Sequence, residues 1–107
     1  MSLKKDLRQL KTSIGSWITI PHPSVVEILS QAGFDWLTID MEHTATGYES
    51  AQILISAIQA GNMQALVRVA KNDDVLIKRS MDIGADGVIV PNICNAEDAR
   101  KAVQHVR

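Results

Sequence analysis

The chain has 107 residues, 46% hydrophobic and 21% charged, a balance that suits one small folded domain or part of one and excludes a disordered or fibrous tract. Eleven Lys and Arg stand against twelve Asp and Glu, net charge −1, with the basic residues scattered, so nucleic acid is not an expected partner. Apolar runs such as ILISAI fall far short of the ~20 residues that span a bilayer, and MSLKKDLRQLK lacks the apolar centre of a secretory signal, so the expectation is a cytoplasmic protein with no membrane partner.

In chain order, the first eleven residues read as a short polar helix, a lid or tail, with Leu3, Leu7 and Leu10 on one face. IGSWITI at 14–20 reads as a strand that the prolines at 21 and 23 stop. Ser24 and Glu27 form an S-x-x-E capping box for a helix with Val25, Val26 and Leu29 on its apolar side, ended by Gly33. FDWLTID then has apolar residues on both alternating faces, as in a strand covered on both sides.

The unit repeats. Thr46 and Glu49 make a second capping box, and Ala51, Leu54, Ile55 and Ile58 form a stripe at helical spacing up to Gly61. ALVRVA at 65–70 is the third strand. Asn72 is placed to cap a helix with Leu76, Ile77 and Met81 inward, closed by Gly84 before GVIVP, the fourth strand. Asn95 caps a last helix with Ala96, Ala99, Val103 and Val106 on one side. QAGFDWLTID and DIGADGVIVP share Gly-x-Asp before an apolar run, so the sequence helix end, tight turn, strand occurs twice. Strands alternating with helices predict an α/β fold with a parallel sheet, either an open doubly wound sheet or the opening half of a (β/α)8 barrel. No G-x-G-x-x-G or G-x-x-x-x-G-K turn is present, which weakens a nucleotide-binding reading.

Both architectures collect function at the carboxyl ends of the strands. There stand Asp40, Glu42 and His43 after the second strand, Arg68 near the end of the third and Asn92 after the fourth. Adjacent strands run ~4.8 Å apart, so Asp40 or His43 and Arg68 can approach one small ligand. Arg68 lies inside an otherwise apolar strand, where an unpaired guanidinium is costly, so its partner is either a protein carboxylate such as Asp40 or a substrate carboxylate. His43 is the natural general acid or base of the set, although a histidine after a strand is more often merely solvated. Glu42 reads as an exposed charge, NDD at 72–74 as a helix start, and His22 and His105 as exposed; Trp17 and Trp36 read as core. Cys94, the single cysteine, reads as a small buried apolar residue and excludes an intrachain disulfide or a multi-cysteine zinc site.

With GSW at 15–17, AGFDWLTIDMEH at 32–43, VRV at 67–69, IKRSMDIGADGVIVPNI at 77–93 and AEDARKAV at 96–103, the chain resembles the HpcH/HpaI aldolases, the class II pyruvate-dependent aldolases. The resemblance runs from about Ile14 to Arg107. It implies a TIM-type (β/α)8 barrel of which residues 1–107 are a single partial domain, the N-terminal half. It also implies metal-dependent cleavage of a 4-hydroxy-2-oxo acid to pyruvate and an aldehyde. On the same ground His43 carries acid/base work with Asp40 in support, and Arg68 binds the pyruvate carboxylate. The divalent ion, Mg, Mn or Co, is held in the family by a glutamate and an aspartate on later strands, so no metal ligand is expected between Met1 and Arg107. Glu42, Asp73 and Asp74 do not match those positions. A half barrel has two open edges, so a homo-oligomer, a complementing half or a piece of a longer protein is expected. A non-catalytic half-barrel module and a citrate lyase-type acyl-CoA lyase are the alternatives; the D-x-E-H segment argues against the second.

Overall fold

A computed structural model describes residues 2–107. After a short helix α1 (Leu3–Arg8) the chain runs β1 (Gly15–Ile18), α2 (Pro23–Leu29), β2 (Trp36–Asp40), α3 (Tyr48–Ala60), β3 (Gln64–Arg68), α4 (Asp74–Asp82), β4 (Gly87–Ile89) and α5 (Ala96–Val106). The four strands form one parallel sheet in the order β1-β2-β3-β4. Sequential order, with no reversal, is the order of a barrel and not of a doubly wound sheet. Right-handed crossovers between successive neighbours place the connecting helices on one face. Among the described residues no helix is long and apolar enough to cross a membrane.

Strand alternation divides the side chains between two faces. Leu37, Ile39, Ala65 and Val67 are completely buried under the helices, with Ile18 beside them, and meet Leu54, Ile55 and Ile58 of α3 and Ile77 of α4 in one core. That core contains the expected stripe of α3, because four residues at helical spacing can reach a sheet from one side only. Gly15, Trp17, Trp36, Gln64, Leu66 and Arg68 alternate onto the opposite face. There α1 leans on the amino-terminal part of the sheet. The Leu3 N–H donates to Gln64 Oε1 at 3.4 Å, and Leu3 and Leu7 border a cavity with Leu66 and Ile89. Leu10 lies beyond the helix at φ 56° and is 92% exposed, so the three-leucine face predicted for α1 reduces to two.

The repeated Gly-x-Asp has a clear physical basis. Gly33 and Gly84 adopt φ 81° and 105°, the left-handed region that a side chain strains. Two residues on, each aspartate reaches back to the preceding strand: Asp35 Oδ2 accepts the Ile14 N–H and Asp86 Oδ2 the Ala65 N–H, both at 2.8 Å. The motif therefore turns the chain and ties one strand start to the next.

Three predicted caps move by one or two residues. His22, not Ser24, caps α2, its Nδ1 accepting the Ser24 N–H at 3.1 Å, because Pro23 takes the first helical position where a missing N–H is harmless. Gly47 precedes α3 without a side-chain cap, since the Thr46 hydroxyl lies 2.9 Å from that of Thr44. Asp73 caps α4 by accepting the Leu76 N–H at 3.0 Å, while the Asn72 amide donates to the Asp98 carbonyl at 2.9 Å. Asn95 caps α5 as expected.

The last unit departs furthest from expectation. No described residue of α5 is buried, and Val103 and Val106 are 52% and 40% exposed, because β4 is an edge strand and nothing described packs beyond the helix. Cys94, read as buried, is an exposed free thiol in the loop before that helix. His105 is half-buried, not exposed.

Trp36 lies across Gly15 so closely that a Cβ there would stand 1.9 Å from the indole ring. Gly15→Ala should therefore displace the ring from the sheet and lower stability by ~1–3 kcal/mol, read as a lower urea midpoint with an unchanged slope.

Candidate functional site

Asp40 ends β2 and Arg68 ends β3, and the sheet register sets them directly opposite each other on the face away from the helices. Opposed residues in parallel strands point the same way, so the two side chains meet with little freedom to miss. Arg68 Nε donates to Asp40 Oδ1 at 3.2 Å and Nη2 to Oδ2 at 2.7 Å, a two-pronged pair. Asp40 supplies the protein carboxylate that the sequence offers as one partner for Arg68.

Asp40 is 3% exposed and does more than pair. Its Oδ1 also accepts the backbone N–H groups of Glu42 and His43, each at 3.0 Å, and the Thr44 hydroxyl donates to its carbonyl. The loop that leaves β2 is thus wound around one carboxylate. The Arg68 hydrogen bond holds the Asp40 carboxyl below its ordinary pKa of 3.8 against the opposing effect of burial, and the two N–H groups and the Arg68 charge add to the lowering. Asp40 is an anion throughout the neutral range, and Asp40 in turn raises the pKa of Arg68.

Two further side chains complete the cluster. Glu42 is only 14% exposed at its side chain, with Oε1 3.5 Å from Arg68 Nε and 3.2 Å from His43 Nε2. The imidazole of His43 is 66% exposed. On the other side, the Trp17 ring faces the Arg68 guanidinium, 4.4 Å from Cζ to the ring centroid. Among the described residues the hydrogen bonds that Arg68 makes to side chains use Nε and Nη2, and none uses Nη1.

Glu42 and Trp17 correct two readings. Glu42 continues the two-residue alternation from Asp40 onto the same face, a signal present in the sequence but outweighed by the usual exposure of glutamate. Trp17 is 39% exposed and belongs to this face, not to the core; Trp36 is half-buried on it. Asn92 does not join the cluster. It is exposed at φ 58°, and its carbonyl accepts from the Cys94 thiol at 3.4 Å. Asp73 and Asp74 are engaged at the start of α4.

The donor set does not fit a divalent cation. Both rim carboxylates are engaged by Arg68, by backbone N–H groups or by His43, and among the described residues no three His, Cys, Asp or Glu side chains gather as a cation-binding group. What the cluster offers is a guanidinium paired along one edge with Asp40, an imidazole beside it, and an aromatic wall, all suited to a small carboxylate that undergoes proton transfer.

Known proteins resemble this chain in sequence and in fold. The HpcH/HpaI aldolase/citrate lyase family matches residues 13–107. A 2-dehydro-3,6-dideoxy-6-sulfogluconate aldolase of Pseudomonas putida is 43% identical over 94% of this chain and 40% of its own length. A 4-hydroxy-2-oxo-heptane-1,7-dioate aldolase of Shigella sonnei is 38% identical over 99% of this chain and 40% of its own. Among solved structures, an HpcH/HpaI aldolase from Desulfitobacterium hafniense superimposes with a TM-score of 0.90 at 31% identity, covering 100% of this chain and 42% of that one. The chain spans about 40% of the length of the curated relatives it matches.

Proposed function

Because the chain belongs to the HpcH/HpaI aldolase/citrate lyase family, we propose that Arg68, Asp40 and His43 serve a site that cleaves a 4-hydroxy-2-oxo acid to pyruvate and an aldehyde. On this reading residues 1–107 are the N-terminal half of a (β/α)8 barrel, and the open face of the sheet is the inside of that barrel. The observation that carries the proposal is a guanidinium paired with Asp40 at the carboxyl end of β3 with an exposed imidazole beside it, on the loop that leaves β2.

Retro-aldol cleavage needs a base at the 4-hydroxyl and a stabiliser for the enolate left behind. Arg68 takes the substrate carboxylate on its free Nη1 edge, which fixes the oxo acid against the sheet. His43 removes the hydroxyl proton, the C3–C4 bond breaks to release the aldehyde, and the electron pair passes to the enolate of pyruvate. The Arg68 charge steadies that enolate until a proton returns to C3. Asp40 meets no substrate: it orients Arg68 through two bonds and His43 through the backbone. Glu42 Oε1, 3.2 Å from Nε2, borders the imidazole on one side.

In the family the reaction uses a divalent metal ion, and the carboxylates of this cluster do not form a site for one, so the roles above are limited to these side chains. The test is pyruvate release from 4-hydroxy-2-oxo acids with Mg, Mn or Co supplied, for the whole barrel that this reading implies and for its His43→Ala variant. We expect kcat to fall by about 10²-fold with little change in KM. Equal rates for the two proteins would sink the role given to His43.

A further inference from the structure

We propose that Trp17 is a positioning residue, which by stacking on the guanidinium of Arg68 holds its free edge toward the substrate carboxylate; the inference rests on the function proposed above. Arg68 has a side chain 24% exposed on a face of the sheet that no connecting helix covers. The two bonds to Asp40 define one edge of the guanidinium, but the fork can still rock about that edge. The Trp17 ring, 4.4 Å from Cζ, closes one side of the rocking path.

The placement follows from register. Trp17 lies opposite Thr38, and Thr38 opposite Leu66, so Trp17 stands one step toward the amino end from the level of Asp40 and Arg68, on the same face. The indole spans that step and lays a ring face on Cζ, which an aliphatic side chain there would not supply. A ring face also holds a cation without using any of its N–H groups, so Nη1 stays available to a ligand. The ring is 39% exposed and so can border the bound oxo acid while it supports the arginine.

The variants are Trp17→Leu, which keeps apolar bulk but no π face, and Trp17→Phe, which keeps the face. A cation–π contact of ordinary strength predicts a roughly 3- to 30-fold rise in KM for the oxo acid in Trp17→Leu, with kcat within about 3-fold. Trp17→Phe should return KM to within about 3-fold of the parent. A separate readout is the rotation of the Arg68 guanidinium in ¹⁵N-labelled protein, slow in the parent and Trp17→Phe and faster in Trp17→Leu. An unchanged KM and unchanged rotation in Trp17→Leu, or equal loss in both variants, would overturn the inference. If the parent cleaves no oxo acid while Trp17→Leu still frees the guanidinium, the proposed function fails and the support of Arg68 by Trp17 stands.

Discussion

Arg68→Met should reduce kcat/KM for cleavage of a 4-hydroxy-2-oxo acid by about 10³- to 10⁴-fold, the largest loss expected of any single change in the cluster. Two losses combine. A charge-assisted bond to the substrate carboxylate contributes about tenfold in binding, and removing one fixed donor from a developing oxyanion costs about 10²- to 10³-fold in rate. Methionine preserves much of the length and apolar stem beside Trp17, while the charge and the two bonds to Asp40 are removed. Steady-state kinetics should show both a higher KM and a lower kcat, because the cation acts in the ground state and more strongly in the transition state. A change confined to KM would reduce Arg68 to a binding residue. Arg68→Lys should recover little, since an ammonium cannot bond Asp40 at two points and present a further N–H edge.

The second large effect concerns stability. The Asp40 carboxylate accepts two bonds from Arg68 and two from backbone N–H groups, while its carbonyl serves Thr44. Asp40→Ala strands the guanidinium and both N–H groups, and we expect a loss of ~2–4 kcal/mol in urea unfolding, below the full figure for a buried pair because Glu42 still faces Arg68. Asp40→Asn keeps an acceptor for the two N–H groups and should lose less. The sign of the pH dependence follows from the lowered carboxyl pKa. Its contribution is fully present above the unfolded value of 3.8 and is lost as pH falls through the still lower folded value. The stability gap between the protein and Asp40→Asn should therefore be constant from about pH 7 to about pH 5 and close below about pH 4. A gap that persisted unchanged in strong acid would show that packing and not charge sets it.

The meeting of Asp40 and Arg68 is legible in the sequence because both lie at the ends of consecutive strands, and consecutive strands of alternating βα units are neighbours. The stripe of α3 is equally legible, since Ala51, Leu54, Ile55 and Ile58 leave a single way to bury four apolar side chains. The helix starts are less so. An S-x-x-E match is a local pattern, and at α2 the proline at the first helical position outranks it, while at α4 Asn72 is drawn away by the Asp98 carbonyl on another element. Glu42 and Trp17 escape a reading of the sequence for a different reason. Composition gives each residue type its usual burial, whereas their places depend on which face of the sheet the helices leave open.

By itself, then, the sequence determined what is local in period and chain order: four βα units, the two Gly-x-Asp turns, the buried stripe of α3, and an acid, an imidazole and an arginine at strand ends. Only the tertiary structure decided the pairing between distant residues. It set Asp40 against Arg68 as a two-pronged pair, placed Glu42 between Arg68 and His43, laid Trp17 over the guanidinium and left the apolar side of α5 exposed. The physical reason is that hydrophobic periodicity is carried along one segment, while strand register and the identity of the covered face arise between segments, where one residue of slip would turn every side chain to the other side.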